Sequence, residues 1–155
     1  MEFITQYSSP LGPMTMRSDG THLTDLSFGE AERVSPDSPD FWEPVKSWLD
    51  LYFEGRDPGI FPVPICPAGT AFQKRVWARA RAIPYGETVS YGHLAKQLSS
   101  AMSPQAVGRA VGKNPIAILI PCHRVLGAGG ALTGYAYGLE AKKFLLSLEG
   151  IPFQP

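Results

Sequence analysis

The sequence predicts a chain of two lobes: an N-terminal α/β lobe built on a small antiparallel sheet, then a mainly helical lobe carrying a helix-turn-helix. Three observations predict it. Short, partly alternating segments give way to helical periodicity across the Gly- and Pro-rich stretch "FEGRDPGIFPVPICPAGT". Residues 1–70 hold four Lys/Arg against eleven Asp/Glu, whereas residues 71–155 hold ten against three, so a net charge of zero hides two oppositely charged halves. Beyond the linker, two short helical segments follow each other closely, and the second is basic. The expected boundary lies between residues 67 and 68.

The elements follow in order. "EFITQYSSPLGPMTMRSDGTHLTDLSFG" is punctuated by Pro-Leu-Gly-Pro and Asp-Gly, which makes it a small antiparallel sheet. "DFWEPVKSWLDLYFEG" reads as a helix, since Trp48, Leu49, Tyr52 and Phe53 recur at three-to-four spacing and Gly55 supplies a stop. This lobe carries no expected chemistry and reads as scaffold. Thr70 and Gln73 in "TAFQKRVW" form a capping-box pattern that opens the next helix, with Phe72, Val76, Trp77 and Ala80 on one face. Lys74, Arg75, Arg79 and Arg81 lie elsewhere on it, as on an ordinary solvated face. "IPYGETVSYGHLAKQL" turns at Pro84-Tyr85-Gly86 and starts a helix after Ser90, with Leu94 and Leu98 one turn apart. "SPQAVGRAVGKNP" then pairs Val107 with Val111 while Arg109 projects differently. Helix, short turn and basic helix outline a helix-turn-helix, an outline shared by many helix pairs that bind nothing. "GLEAKKFLLSLEG" is the last helix, with Glu149 on its final turn.

Composition excludes several classes. At 155 residues and 44% apolar content the chain can bury a real core. No apolar stretch approaches the roughly 20 residues a membrane span needs, so no membrane partner is expected. "MEFITQYSSPLG" has no basic region leading into a long apolar one, so no signal peptide is expected. Cys66 and Cys122 do not make a disulfide framework, which favours a reduced cytoplasmic setting and a free thiol. His22, His93 and His123 stand far apart and neither cysteine has a CxxC partner, so no metal is expected. Without a Gly-rich phosphate loop, no cofactor is expected either. The basic C-terminal half fits a polyanion such as nucleic acid, or simply attraction between oppositely charged lobes.

"NPIAILIPCHRVLG" leads a buried-looking apolar run directly into Cys122, His123 and Arg124. A nucleophilic cysteine must be a thiolate, and an imidazole held by a carboxylate can take its proton. Adjacent residues on a strand point to opposite faces, so Cys122 and His123 can cooperate only if the chain leaves strand geometry at "PCH", where Pro121 suits such a turn. Besides Glu140, Glu149 is the acidic residue C-terminal to Cys122. On spacing alone, a buried structural cysteine beside a surface histidine is the favoured reading.

The same residues carry a resemblance. "GTAFQKRVW", "IPYGETVSYGHLA", "AVGRAVGKNPIAILIPCHRVLG" and "TGYAYGLEAKKFLLSLEG", in this order over residues 68–150, resemble the O6-alkylguanine-DNA alkyltransferases, with a fainter echo in "SSPLGPM" and "LDLYFEG". The resemblance implies a ribonuclease-H-like N-terminal lobe and a winged-helix-like C-terminal lobe. It implies single-turnover DNA repair, in which Cys122 takes the alkyl group from O6-alkylguanine, or O4-alkylthymine, and keeps it as a thioether. His123, acting through a water and held by Glu149, receives the thiol proton; Tyr91 assists the departing guanine oxygen; Asn114 braces the turn. Tyr135, Ala136, Tyr137 and Lys142 match the pocket loop and the helix after it.

The implied partner is double-stranded DNA, bound without sequence preference by a monomer, with the damaged base flipped out of the stack. Gln105, Arg109, Lys113 and Arg124 are the candidate DNA-facing residues, although Arg124 also suits tying the active-site turn together. Two positions depart from the family pattern. Gln105 stands where an arginine commonly fills the vacated stack, so the flipped state is expected to be held less strongly. Tyr137 stands where a glycine is common and is expected to narrow the pocket rim or stack on the base. Two other functions are open: a non-transferring lesion binder, against which Cys122 argues, and a thiol acceptor for a small-molecule or nucleoside donor.

Overall fold

The structure is a computed structural model that describes residues 2–36, 40 and 42–153. The chain divides into two compact units, Met1–Ala68 with Pro115–Ala117, and Gly69–Asn114 with Ile118–Pro155.

In the first unit, β1 (Phe3–Ser9), β2 (Gly12–Ser18) and β3 (Leu23–Phe28) form an antiparallel sheet in the order β1-β2-β3. Ser9 pairs with Gly12, which leaves Pro10-Leu11 as the hairpin tip. Gly12 there has φ 101°, a conformation that penalises any Cβ. Met14, Met16, Leu23 and Leu26 are fully buried, and so is the stripe Val45, Leu49 and Tyr52 of α1 (Trp42–Phe53). Leu49 and Tyr52 of the expected stripe are buried, while Trp48 and Phe53 flank them half-buried. The Tyr7 hydroxyl donates to Asp50 Oδ1 at 2.6 Å and its ring stacks on Phe53, which ties the sheet to the helix.

The linker is less loose than its composition suggests. Leu23 N donates to Pro64 O and Cys66 N to Leu23 O, so residues 64–66 add a bridge beside β3. Residues 115–117 do the same further along: Leu26 N donates to Pro115 O at 3.0 Å and Ala117 N to Leu26 O at 2.8 Å.

In the second unit, α2 (Ala71–Arg81) opens with the expected capping box: Thr70 accepts from Gln73 N while Gln73 Oε1 accepts from Thr70 N. Two reciprocal bonds satisfy donors that the first turn would otherwise leave open. Ser90 caps α3 (Tyr91–Leu98), and Ser103, followed by Pro104 at the first helical position, caps α4 (Pro104–Val111). Trp77 Nε1 donates to Ala110 O at 2.9 Å, locking α2 to α4. Two-residue strands β4 (Val89–Ser90) and β5 (Val125–Leu126) pair in parallel, and α5 (Leu139–Leu148) follows. No helix among the described residues is long and apolar enough to cross a membrane.

Candidate active site

The apolar run before the cysteine is buried almost throughout and contains one unusual residue. Ile118 is 2% exposed at φ 70°, a left-handed conformation that for a β-branched side chain costs about 1–3 kcal/mol. Past Pro121 the chain makes a single 3-10 turn over Cys122–Arg124, closed by Arg124 N donating to Pro121 O at 2.9 Å. Cys122 and His123 therefore sit on a helical turn, where neighbouring side chains need not oppose each other as on a strand.

Glu149, at the C-terminal end of α5, is the electrostatic hub. Its Oε2 meets His123 Nε2 at 2.6 Å and Arg124 Nη2 at 3.1 Å; its Oε1 accepts from Arg124 Nε at 2.7 Å and Gly86 N at 3.0 Å. Burial pushes this carboxyl up, but the bonds and charges of His123 and Arg124 prevail and hold it at about 2. An ionised carboxylate only accepts, so Nε2 of His123 must carry the hydrogen, which assigns the tautomer. Burial drives the His123 pKa down, and the Arg124 and Lys142 charges push the same way against the pull of Glu149. The imidazole is thus held neutral, as a proton acceptor must be.

The Cys122 thiol is fully buried, and burial raises it to about 12 against the opposing hydrogen bond of Asn114 and charge of Lys142. At pH 7 a thiolate fraction on the order of 10⁻⁵ follows. The resting thiol is quiet. Asn114 Nδ2 also donates to Ile120 O at 2.8 Å, so one side chain braces both ends of the approach to the cysteine. The Lys142 ammonium is buried among carbonyls, donating to Val125 O at 2.9 Å and to Thr133 O and Gly134 O at 3.3 Å. Burial lowers it to about 8, opposed by the cysteine.

Beside this centre lies a cleft of about 800 Å³, within the usual size range of ligand pockets. Tyr91 and Gln105 line it from α3 and α4, and Gly134, Tyr135 and Ala136 line it from the loop before α5. The Tyr91 hydroxyl accepts from Thr133 Oγ1 at 3.2 Å and donates to Gly134 O at 3.4 Å, a long bond. Burial raises its pKa, so it stays a donor. The Tyr135 ring stands edge-on to His123, centroids 6.4 Å apart, and its hydroxyl is buried without a hydrogen-bond partner among the described residues.

Of the candidate DNA-facing residues, Gln105, Arg109 and Lys113 are exposed on and just after α4. Arg124 is not among them: it is 8% exposed, and its guanidinium points inward to Glu149 and to Ile83 O at 2.8 Å. A buried guanidinium spending its donors on a carboxylate and a carbonyl is a structural clamp, which corrects its place in the DNA-facing set. Tyr137 is likewise absent from the cleft lining; its hydroxyl donates to Asn114 O at 2.6 Å. Sequence reasoning missed the backbone partners Gly86 N, Ile83 O and Gly134 O. The Pro84-Tyr85-Gly86 turn was visible in the sequence, but its role was not, because a main-chain donor has no residue signature.

Comparison with known proteins gives the family. Residues 71–151 match the family model described as 6-O-methylguanine DNA methyltransferase, DNA binding domain, and residues 3–67 match the ribonuclease-like domain of the same enzyme. The methylated-DNA–protein-cysteine methyltransferase of Haemophilus influenzae is 42% identical over 97% of this chain and 88% of its own, and that of Methanosarcina acetivorans 45% over 93% and 96%. The crystal structure of the Mycobacterium tuberculosis O6-methylguanine methyltransferase superposes with a TM-score of 0.83 at 42% identity, covering 96% of this chain and 93% of that one. The Mycobacterium tuberculosis OGT solved in complex with DNA gives 0.81 at 44% identity, covering 93% and 90%. By both family models and these relatives, the chain belongs to the methylated-DNA–protein-cysteine methyltransferase family.

Proposed function

We propose that this protein repairs alkylated DNA by moving the alkyl group from O6 of guanine to the sulfur of its own Cys122, once per molecule. The observation that carries the reading is a buried thiol on the same 3-10 turn as a neutral histidine whose tautomer is set by a clamped carboxylate. With Nε2 committed to Glu149, the thiol proton passes to Nδ1 of His123, through a water as the family resemblance implies. The thiolate attacks the alkyl carbon; the S–C bond forms as the C–O6 bond breaks. The electron pair left on the guanine is neutralised by a proton, for which the Tyr91 hydroxyl at the cleft wall is the donor. Cys122 gives one proton to His123 and Tyr91 gives one to the guanine. Return of the His123 proton through solvent to the Tyr91 phenolate leaves thioether, guanine, imidazole and phenol all neutral, so the single turnover balances. The product thioether is a poor electrophile, and none of the described residues around it is suited to cleave it.

Duplex DNA is the proposed partner, bound by a monomer without sequence preference, and the damaged guanine enters the cleft extruded from the stack. Exposed Arg109 and Lys113 on the α4 side bind phosphates, and Gln105 fills the stack less firmly than an arginine. The expected lobes then divide the labour, scaffold in 1–67 and binding and transfer in 68–155, save that residues 115–117 belong with the scaffold unit.

Intact mass measured after incubation with an O6-methylguanine duplex tests the reading. A single added methyl on Cys122, absent in Cys122→Ser, is expected. Tight binding with unchanged mass, or transfer only from a free nucleoside, would reject it.

A further inference from the structure

We propose that Tyr137 is a positioning residue that latches the pocket loop to the brace of the nucleophile and thereby restricts the alkyl group to small sizes. The proposal deepens the alkyl-transfer reading above and rests on it. Three observations carry it.

First, residues 135–137 run between Gly134 and Gly138, the latter at φ 98°. Glycines at both ends make backbone rotation cheap, so the main chain alone does not set where this loop sits. Second, the near end of the loop is held by Lys142 and Tyr91 on the Gly134 carbonyl, while Tyr137 supplies a tie at the far end, its hydroxyl 2.6 Å from Asn114 O. Third, the two ends of that tie are functional surfaces. The Tyr137 ring backs Tyr135, centroids 5.4 Å apart and planes at 67°, and Tyr135 with Ala136 walls the cleft. Asn114 holds Ile120 O and hydrogen-bonds the Cys122 thiol.

A small alkyl group can be accommodated with the latch closed. A bulky one must push Tyr135 outward, and the loop then yields by lengthening or breaking the bond from Tyr137 to Asn114. The effect is thus not steric narrowing by the Tyr137 ring, which does not line the cleft, but the free energy of opening. One net neutral hydrogen bond corresponds to about fivefold in rate.

The test compares wild type with Tyr137→Phe, which keeps the ring and removes the hydroxyl, and with Tyr137→Gly. Single-turnover rates are measured by intact mass on duplexes carrying O6-methylguanine or O6-benzylguanine, and amide hydrogen exchange is followed over 133–138. In Tyr137→Phe the benzyl-to-methyl rate ratio is expected to rise about fivefold, with faster exchange in the loop. Tyr137→Gly should raise the ratio at least as much. An unchanged ratio in folded Tyr137→Phe, including equal loss on both substrates, overturns the latch. Failure of the wild type itself to take up methyl would instead overturn the alkyl-transfer reading, so the two failures are distinguishable.

Discussion

Arg124 grips Glu149 with two hydrogen bonds, Nε to Oε1 at 2.7 Å and Nη2 to Oε2 at 3.1 Å, on the same carboxylate that holds His123 at 2.6 Å. A buried carboxylate needs a compensating cation. Here the guanidinium provides it, so the imidazole can orient on Glu149 without becoming protonated.

Removing the guanidinium should therefore shift the duty of compensation onto His123. In Arg124→Met, the His123 pKa is expected to rise, and the acid limb of the transfer-rate profile should move up by about one to two pH units. Activity at pH 7 should fall and recover at higher pH. Arg124→Lys should keep the limb near its wild-type position. The measurement is single-turnover rate against pH; an unmoved limb in folded Arg124→Met would contradict the compensating role.

Glu149 also makes stability depend on acid. Its folded pKa of about 2 lies below the ordinary 4.5, so its contribution is complete above about 4.5 and is lost as pH falls toward 2. The gap corresponds to about 3 kcal/mol at neutral pH. Urea unfolding at pH 7 and at pH 2.5 should show wild type losing most of its advantage over Glu149→Gln. A constant difference across that window would refute the linkage.

The two cysteines should label very differently. Cys66 is exposed, whereas Cys122 is buried with its thiol raised to about 12. At pH 7 a disulfide reagent should modify Cys66 promptly and Cys122 orders of magnitude more slowly, and both together in denaturant. Equal rates in the folded protein would show that the resting thiol is open or ionised.

Reversing the exposed charges of α4 should weaken DNA binding uniformly over sequences. Arg109→Glu with Lys113→Glu is expected to lower affinity about tenfold or more at moderate salt. The log–log salt dependence should flatten by about one in slope for each phosphate no longer neutralised. Titration of unmodified duplexes at several salt concentrations reads both. Retained affinity would move the DNA-binding face elsewhere.

Much of the architecture was written in local signals. Thr70 and Gln73 announce α2 because a capping box uses two side chains at fixed spacing, and Pro-Leu-Gly-Pro announces the first hairpin because the turn needs residues that tolerate it. Non-local pairing was not legible. Residues 115–117 form part of a short apolar run with no periodicity to reveal that Leu26 is their partner, and β4 and β5 are two residues long. At the site, Cys122, His123 and Glu149 could be named, but the direction of a side chain could not. An arginine beside a catalytic pair can face DNA or turn inward, and only packing decides that Arg124 spends its donors on Glu149 and Ile83. Tyr137 is the same case: a tyrosine in a pocket loop suggests a wall, and the fold makes it a tether to Asn114.

The excursion of Pro115–Ala117 into the first unit bears on how the chain can be cut. A fragment ending at residue 68 would strand both main-chain groups of Leu26, and one starting at 69 would carry a three-residue splice with nothing to zip against. A separately expressed 1–68 fragment should consequently be a poor autonomous folder. A split-protein sensor built on this scaffold would do better with its break in an exposed hairpin than at the obvious linker.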